Sequence, residues 1–197
     1  MSRQLVVVAG DRDRAYLPTF LAETHPELDA RCVGDVQSLR AALAGRYGET
    51  RLVSFLNDLI IPADVIEGLR VQPINIHPGP PEYRGSCPDG FAWLDGAAVF
   101  GVTAHEMTAE IDAGRILAVR RFPLEPDGTQ AQIADLAFEN ALVLFALVLR
   151  HCARSDDPLP PTGERWSGPN RTKAMFRAAL KSRRVTEAGG PARSRAG

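Results

Sequence analysis

Pro73-Ile74-Asn75-Ile76-His77-Pro78-Gly79-Pro80-Pro81 reads as a short strand that is forced to stop. Proline cannot donate to a strand ladder, so Pro78, Pro80 and Pro81 require the chain to turn after His77. Working outward toward the amino terminus, Leu5-Val6-Val7-Val8-Ala9 before Gly10-Asp11 is continuously apolar and β-branched, the pattern of a buried parallel strand. Ala30 to Val33 and Leu52-Val53-Ser54-Phe55-Leu56 are two further strands. Between them, Arg14 to Glu23 fits a helix that Pro18 delays or kinks, and Asp35 caps a helix through Ala44 with Leu39, Ala42 and Leu43 on one face. Strands alternating with helices predict an α/β fold with an open, mostly parallel sheet flanked by helices. Ligands bind such sheets at the carboxyl ends of the strands, which is where Asn75 and His77 fall.

Toward the carboxyl terminus the pattern changes. Pro88 leads into a short helix containing Phe91, Ala92 and Trp93. Ala98 to Met107 and Arg115 to Phe122 are strand-like runs joined by a polar turn with Asp112-Ala113-Gly114, which predicts a hairpin-like excursion. Gln130 to Arg150 is the longest helix, with Thr129 as its start signal and Ile133, Leu136, Ala137, Leu142, Leu144, Phe145 and Leu149 apolar. From Ser155 the composition shifts to Pro, Gly and basic residues, with a short helix expected at Thr172 to Lys181. The organisation read from this is a catalytic domain over 1–153, an extension packing on it over 154–185, and a disordered tail over 186–197.

The chain of 197 residues, 45% apolar and 24% charged, suits one domain with a full core and an appendage. A formal net charge of −1 offers no global attraction to nucleic acid, which is not an expected partner. The basic end is expected to be a solvated terminus rather than an RNA site, because Trp166 and Phe176 are its only aromatics. Cys32, Cys87 and Cys152 are odd in number and far apart, unlike a disulfide framework or a metal knuckle. Met1-Ser2-Arg3-Gln4 runs straight into a strand without a signal-peptide core, and the run Ala141 to Leu149 is too short to span a bilayer. A cytoplasmic protein with no membrane partner is expected.

Asn75, His77 and Asp112 are types of group that suit acyl transfer to a neutral amine without a covalent enzyme intermediate. An Asn amide can donate to a developing oxyanion, an imidazole trades protons near neutral pH, and a carboxylate holds the imidazole in its charged form. Taken alone, His77 and Asp112 are also ordinary turn residues. Their neighbours narrow the reading. Asn75-Ile76-His77-Pro78, Tyr83-Arg84-Gly85, Pro88, Trp93, Gly101-Val102-Thr103, Met107 and Asp112-Ala113-Gly114-Arg115-Ile116, in that order, resemble the 10-formyltetrahydrofolate-dependent formyltransferase family. Asp58-Leu59-Ile60-Ile61-Pro62 is similar to the family's apolar loop at the pterin pocket. The resemblance is strong over roughly residues 50 to 125 and weak on the flanks.

The resemblance implies a Rossmann-like, formyltransferase-type core in which the hairpin-like excursion carries a catalytic Asp. It implies Asn75, His77 and Asp112 as the catalytic trio, with Asp112 raising the imidazole pKa of His77. Phe55, Leu56, Asn57, Leu59, Ile60, Ile61, Glu110 and Asp112 would then hold the formyl donor, 10-formyltetrahydrofolate. His105 and Arg84 are the candidates on the acceptor side; a structural or surface role for His105 weighs equally, and for Arg84 a salt bridge holding the loop is favoured over contact with an anionic substrate. Cys87 lacks a flanking base or cation in sequence and reads as packing. No metal-ligand spacing exists and none is expected.

Departures from the family bear on the acceptor, which is expected to be a small-molecule amine. Ala9-Gly10-Asp11-Arg12-Asp13 stands where purine-pathway members carry a glycine-rich phosphate loop, and its two carboxylates would repel a phosphate. The tRNA enzymes carry a carboxy-terminal barrel domain, and none is expected within these 197 residues. Gly163-Glu164-Arg165-Trp166-Ser167-Gly168 with Arg171-Thr172 looks like the segment closing the core of sugar N-formyltransferases. A nucleotide-linked amino sugar is therefore the favoured acceptor. The alternatives are a 10-formyltetrahydrofolate hydrolase, a methionyl-tRNA formyltransferase-like enzyme and a non-catalytic folate-binding domain. Family members dimerise through segments beyond the core, so a homodimer is compatible with the chain.

Overall fold

The computed structural model describes residues 3–189, with side chains through Arg183. Six strands form one sheet: β1 (Arg3–Ala9), β2 (Leu28–Val33), β3 (Thr50–Phe55), β4 (Ile74–His77), β5 (Val99–Glu106) and β6 (Ile116–Pro123). Their order is β2-β1-β3-β4-β5-β6. β1 runs parallel to β2 and β3, and β3 parallel to β4, whereas β5 is antiparallel to both β4 and β6. The expected hairpin around Asp112 thus exists, and it extends the main sheet at its edge. The helices are α1 (Asp11–Arg14), α2 (Leu17–Thr24), α3 (Val36–Leu43), α4 (Ala63–Gly68), α5 (Pro88–Asp95), α6 (Gln130–Cys152) and α7 (Lys173–Gly189).

Period-2 alternation divides the apolar strands between two cores. Leu5, Val7 and Ala9 of β1 face Leu17 and Leu21 of α2 and the buried stripe of α6. Val6 and Val8 face Leu39, Ala42 and Leu43 of α3 and Val65 of α4. Both sides of β1 are covered, which is why its sequence has no polar alternation. Pro18 sits in the first turn of α2, so it starts that helix rather than kinking it. Asp35 caps α3 by accepting from Ser38 N–H at 2.8 Å. Thr129 and Gln132 form a capping box at α6. By length and composition α6 could cross a membrane, yet Ile133, Ala137, Ala141, Leu144, Phe145, Val148 and Leu149 are buried against β4, β5 and β6. Each of its large apolar side chains contributes about 1.5–3 kcal/mol by leaving water.

Three segments differ from the sequence reading, the first being the helix expected from Arg14, which is split into α1 (Asp11–Arg14) and α2 (Leu17–Thr24). Residues 63–68 form α4, which is too short for its periodicity to show in sequence. α7 runs past the expected Lys181 to Gly189, so the first residues of the expected tail, 186–189, have helical backbone; residues 190–197 lie outside the described part.

β4 is the strand that positions the site. Ile74 and Ile76 point into the α6 core, so Asn75 and His77 point to the opposite side of the sheet. The antiparallel register sets His105 of β5 opposite Asn75, and Thr103 opposite His77. Four polar side chains therefore share one side of two adjacent strands. There α3 and α4 cover β1 and β3, and loops with the segment 162–171 close over β4 and β5.

Candidate active site

The loop that leaves β4 is built to present His77. Thr103 Oγ1 donates to the Gly79 carbonyl at 2.8 Å and ties the first turn of the loop to β5. The His77 Nε2 lies 2.9 Å from the Tyr83 carbonyl oxygen. Gly79 passes so close that a Cβ there would stand 2.8 Å from His77 Nε2, which explains a glycine between the prolines. From the other direction, the turn after β5 delivers Asp112 with a left-handed backbone (φ 46°), a conformation that Asp tolerates better than most residues.

Asp112 is the hub. Its Oδ2 accepts from the Gly85 N–H at 3.0 Å and lies 3.4 Å from His77 Nδ1. Its Oδ1 lies 3.2 Å from His105 Nε2 and 3.5 Å from Asn75 Nδ2. Asn75 Nδ2 is also 3.0 Å from His105 Nε2, and His105 Nδ1 is 2.9 Å from the Glu106 carbonyl oxygen. The cluster is almost dry, with His77 3%, His105 2% and Asp112 7% exposed.

Electrostatics follow from that dryness. Burial pushes the His77 imidazole below its ordinary value; Asp112 and the Tyr83 carbonyl pull the other way, and His105 adds to the lowering. The expectation that Asp112 would raise it identifies a real contribution, but burial outweighs it. Burial by itself pushes the Asp112 carboxyl up, yet the hydrogen bond with His105, the neighbouring imidazoles and the Gly85 N–H together hold it below the usual range. The resting pair is a carboxylate beside a neutral imidazole. Both ring nitrogens of His77 face oxygen acceptors, so a neutral ring satisfies one and an imidazolium would satisfy both. The site is suited to take up one proton transiently.

Asn75, His77, His105 and Asp112 line a cavity of about 420 Å³. The loop after β3 supplies its opposite wall with Leu56, Asn57, Leu59, Ile60 and Ile61, and Glu110 lies at its edge. These are the residues expected to hold the donor, with one correction: Phe55 is fully buried, packed on Phe138 and Phe145 behind the wall. Of the two expectations for Arg84, the geometry matches the loop-holding salt bridge: it does not line the cavity, but pairs with Glu110 at 2.6 Å and donates to the Ile111 carbonyl, so it braces the turn carrying Asp112. His105 lines the same cavity and belongs to the Asp112 cluster. Cys87 lines the cavity with its thiol pushed up by burial, a state unsuited to nucleophilic attack.

Sequence reasoning missed Met107 as a cavity wall, Gly85 as the donor to Asp112, Lys173 at the mouth and Trp166 against both imidazoles. Met107 and Gly85 lay within the ordered motifs and Trp166 within the segment 163–168, whose resemblance gave it no contact with the imidazoles, whereas nothing local marks Lys173. Leu56, Cys87 and Asp112 are the three non-glycine residues of positive φ among the described residues, and all three line this cavity. Such backbone costs about 1–3 kcal/mol per residue and gathers where function demands it. No group of three or more His, Cys, Asp or Glu among the described residues is arranged to hold a metal ion.

Comparison with known proteins agrees with this geometry. Residues 11–147 match the family described as formyl transferase. Methionyl-tRNA formyltransferase of Borrelia duttonii (strain Ly) is 31% identical over 130 residues, covering 66% of this chain and 40% of that protein. The chain thus spans well under half of such relatives. Among solved structures, the formyltransferase PseJ from Anoxybacillus kamchatkensis, in complex with UDP-4,6-dideoxy-4-formamido-L-AltNAc and tetrahydrofolate, superimposes with a TM-score of 0.72 at 18% identity, over 91% of this chain and 90% of that one. A sugar N-formyltransferase from Shewanella gives 0.71 at 20% identity, over 90% and 79%. At these identities the structural likeness is one of fold.

Proposed function

This chain belongs to the formyl transferase family, and from that premise we propose that it transfers a formyl group from 10-formyltetrahydrofolate to a primary amine, with a nucleotide-linked amino sugar as acceptor. The observation that carries the reading is the convergence of Asn75, His77 and Asp112 on one cavity whose opposite wall is the apolar loop 56–61. The loop offers Leu56, Leu59, Ile60 and Ile61 to a flat heterocycle, and Asn57 and Glu110 to its polar edge.

In this reading Asn75 donates to the formyl oxygen as the amine adds to the carbon and charge gathers there. The amine gives up a proton to His77, whose imidazolium is held between Asp112 and the Tyr83 carbonyl. His77 then returns that proton to the folate N10 as the bond from carbon to N10 breaks. Atoms and charge balance without a further reactant. The sugar acceptor is supported by fold neighbours crystallised with nucleotide-linked sugars. A tRNA acceptor is the second reading, favoured by the sequence relatives.

The test is incubation with 10-formyltetrahydrofolate, alone and with a panel of amines that includes nucleotide-linked amino sugars and methionyl-tRNA. Turnover that appears only with an amino-sugar nucleotide supports the proposal. Formate released at the same rate without any amine would make the protein a hydrolase, and binding without turnover would make it a folate-binding domain.

A further inference from the structure

The reading above leaves unassigned the residue that covers both site imidazoles from behind. Trp166 stands edge-on to His77 with ring centres 5.7 Å apart and to His105 at 5.0 Å. It is half-buried and absent from the cavity lining, while both histidines belong to it, so the indole covers the imidazoles on a side other than the one that faces the cavity. Trp166 Nε1 donates to the Gly114 carbonyl at 2.8 Å, two residues beyond Asp112.

The segment that delivers Trp166 is laced to both loops of the site. Thr162 N–H donates to the Ile116 carbonyl at 2.7 Å, and Ser167 N–H to the Pro81 carbonyl at 3.2 Å. Arg171 N–H donates to the Arg84 carbonyl, and the Arg171 carbonyl accepts from Ser86 N–H, which fixes the backbone on either side of Gly85. Gly85 is the donor to Asp112. Arg121 clamps Glu164 through two contacts of 2.9 and 2.6 Å. A segment with no chemistry of its own is thus anchored at every point where the two loops must keep register.

We propose that Trp166 is a positioning residue of the formyl-transfer site: it keeps the His77 and His105 rings on their oxygen partners and bars water from reaching them from behind the cavity. The inference rests on the formyl-transfer reading for its effect on turnover, and on geometry alone for its effect on the imidazoles. A water admitted behind the rings would solvate the imidazolium that the site holds only transiently and would give the formyl carbon a competing nucleophile. The charged or titratable groups facing His77 are Asp112 from the turn after β5 and His105 from β5; the loop after β4 offers the Tyr83 carbonyl, and Trp166 itself is neutral.

Two variants, Trp166→Phe and Trp166→Ala, test this in the full chain. The first readout is the NMR titration of the His77 ring in the free protein. The second is the ratio of formate released to amine formylated. In Trp166→Ala the His77 midpoint should move up toward its ordinary value, and the formate fraction should rise on the order of tenfold as water exclusion is lost. Trp166→Phe should keep both near wild type, because it restores the apolar cover without the indole hydrogen bond. An unchanged His77 titration in Trp166→Ala would overturn the proposal, as would a Phe variant as perturbed as the Ala variant. If Trp166→Ala does not fold, Trp166→Leu carries the same comparison with Phe. Absence of transfer by the wild-type protein would sink the formyl-transfer reading instead, and the His77 titration would still decide the role of Trp166.

Discussion

Asp112→Asn is the sharpest perturbation of this site: it removes one charge and, on the Oδ1 side, replaces the acceptor facing His105 and Asn75 with an NH2. The amide oxygen can still accept from Gly85 N–H, now at 3.0 Å from Asp112 Oδ2, so the turn should keep its shape. What disappears is the attraction between a carboxylate and the charge that develops on His77, whose Nδ1 is 3.4 Å away. Two unit charges at that distance attract by about 5 kcal/mol at an effective dielectric constant of roughly 20. Since about 1.4 kcal/mol is tenfold in rate, the ceiling on the effect is between three and four decades. The imidazole carries only part of a charge in the transition state, and the amide retains a dipole, so the expected loss in kcat is on the order of 1000-fold, in the range found for lost oxyanion donors. The assay is steady-state formation of tetrahydrofolate with a saturating acceptor, with the donor KM measured alongside. KM should change by less than about threefold, since the interaction is made with the transition state and not with the bound donor. A variant whose kcat stays within about tenfold of wild type would refute the assignment of Asp112 to the transfer step.

Two further outcomes follow from the same contacts. The folded protein resists protonating His77, whereas the unfolded chain takes up that proton near its ordinary value of about 6.5. Stability from this group is therefore fully present above that pH and is lost as pH falls through the depressed folded value. Asp112, also held below its ordinary value, adds a second loss at more acid pH. Thermal melting from pH 8 down to about pH 2 should show both, the Asp112 loss beginning only near its ordinary value of 3.8, and His77→Gln should remove the upper step; an identical slope in that variant between about pH 7 and 5 would count against a depressed His77. Gly85→Ala should destabilise by about 2–3 kcal/mol in urea unfolding, because a side chain at positive φ is strained and its Cβ would meet the Arg171 carbonyl. Turnover should fall at least tenfold with it; intact turnover would show that Gly85 N–H does not set Asp112.

Much of this was legible from residue order because the informative signals are local. Leu5 to Ala9 declares a doubly covered strand by lacking polar alternation, and Pro78 through Pro81 declare the end of β4 by their inability to pair. The gathering of Asn75, His77 and Asp112 was expected through the resemblance, and the structure brings them within one hydrogen-bonded cluster. The illegible parts depend on register or on contacts over long sequence separation. His105 joins Asp112 because the antiparallel pairing sets it opposite Asn75, thirty residues away, and because the β5–β6 register shifts between Ala104 and His105. Trp166 reaches the imidazoles through a segment with no periodicity of its own. Phe55 illustrates the opposite failure: it lies in the right strand, but the period of two turns it into the core while Leu56, beyond the strand end, turns to the cavity.

The location of the cavity has a physical cause that joins these observations. β4 spends its two isoleucines on the α6 side, which leaves a polar pair on the other side where an apolar helix could not pack without stranding buried donors. The polar side chains are instead satisfied by one another and by main-chain groups from loops: the Tyr83 and Glu106 carbonyls and the Gly85 N–H. The loops hold left-handed backbone at Leu56, Cys87 and Asp112, each at a conformational cost. The stability comes from the α6 core on the far side, where Phe55, Leu144, Phe145 and Leu149 are buried together. On this view the two sides of β4 are coupled through stability and separate in chemistry. Leu144→Ala on α6 should cost about 2–5 kcal/mol of stability, whereas the pH dependence of turnover belongs to His77 and its neighbours alone. The strand that anchors the core is thus the one that carries the proposed catalytic side chains, and it can do both because its two sides meet different neighbours.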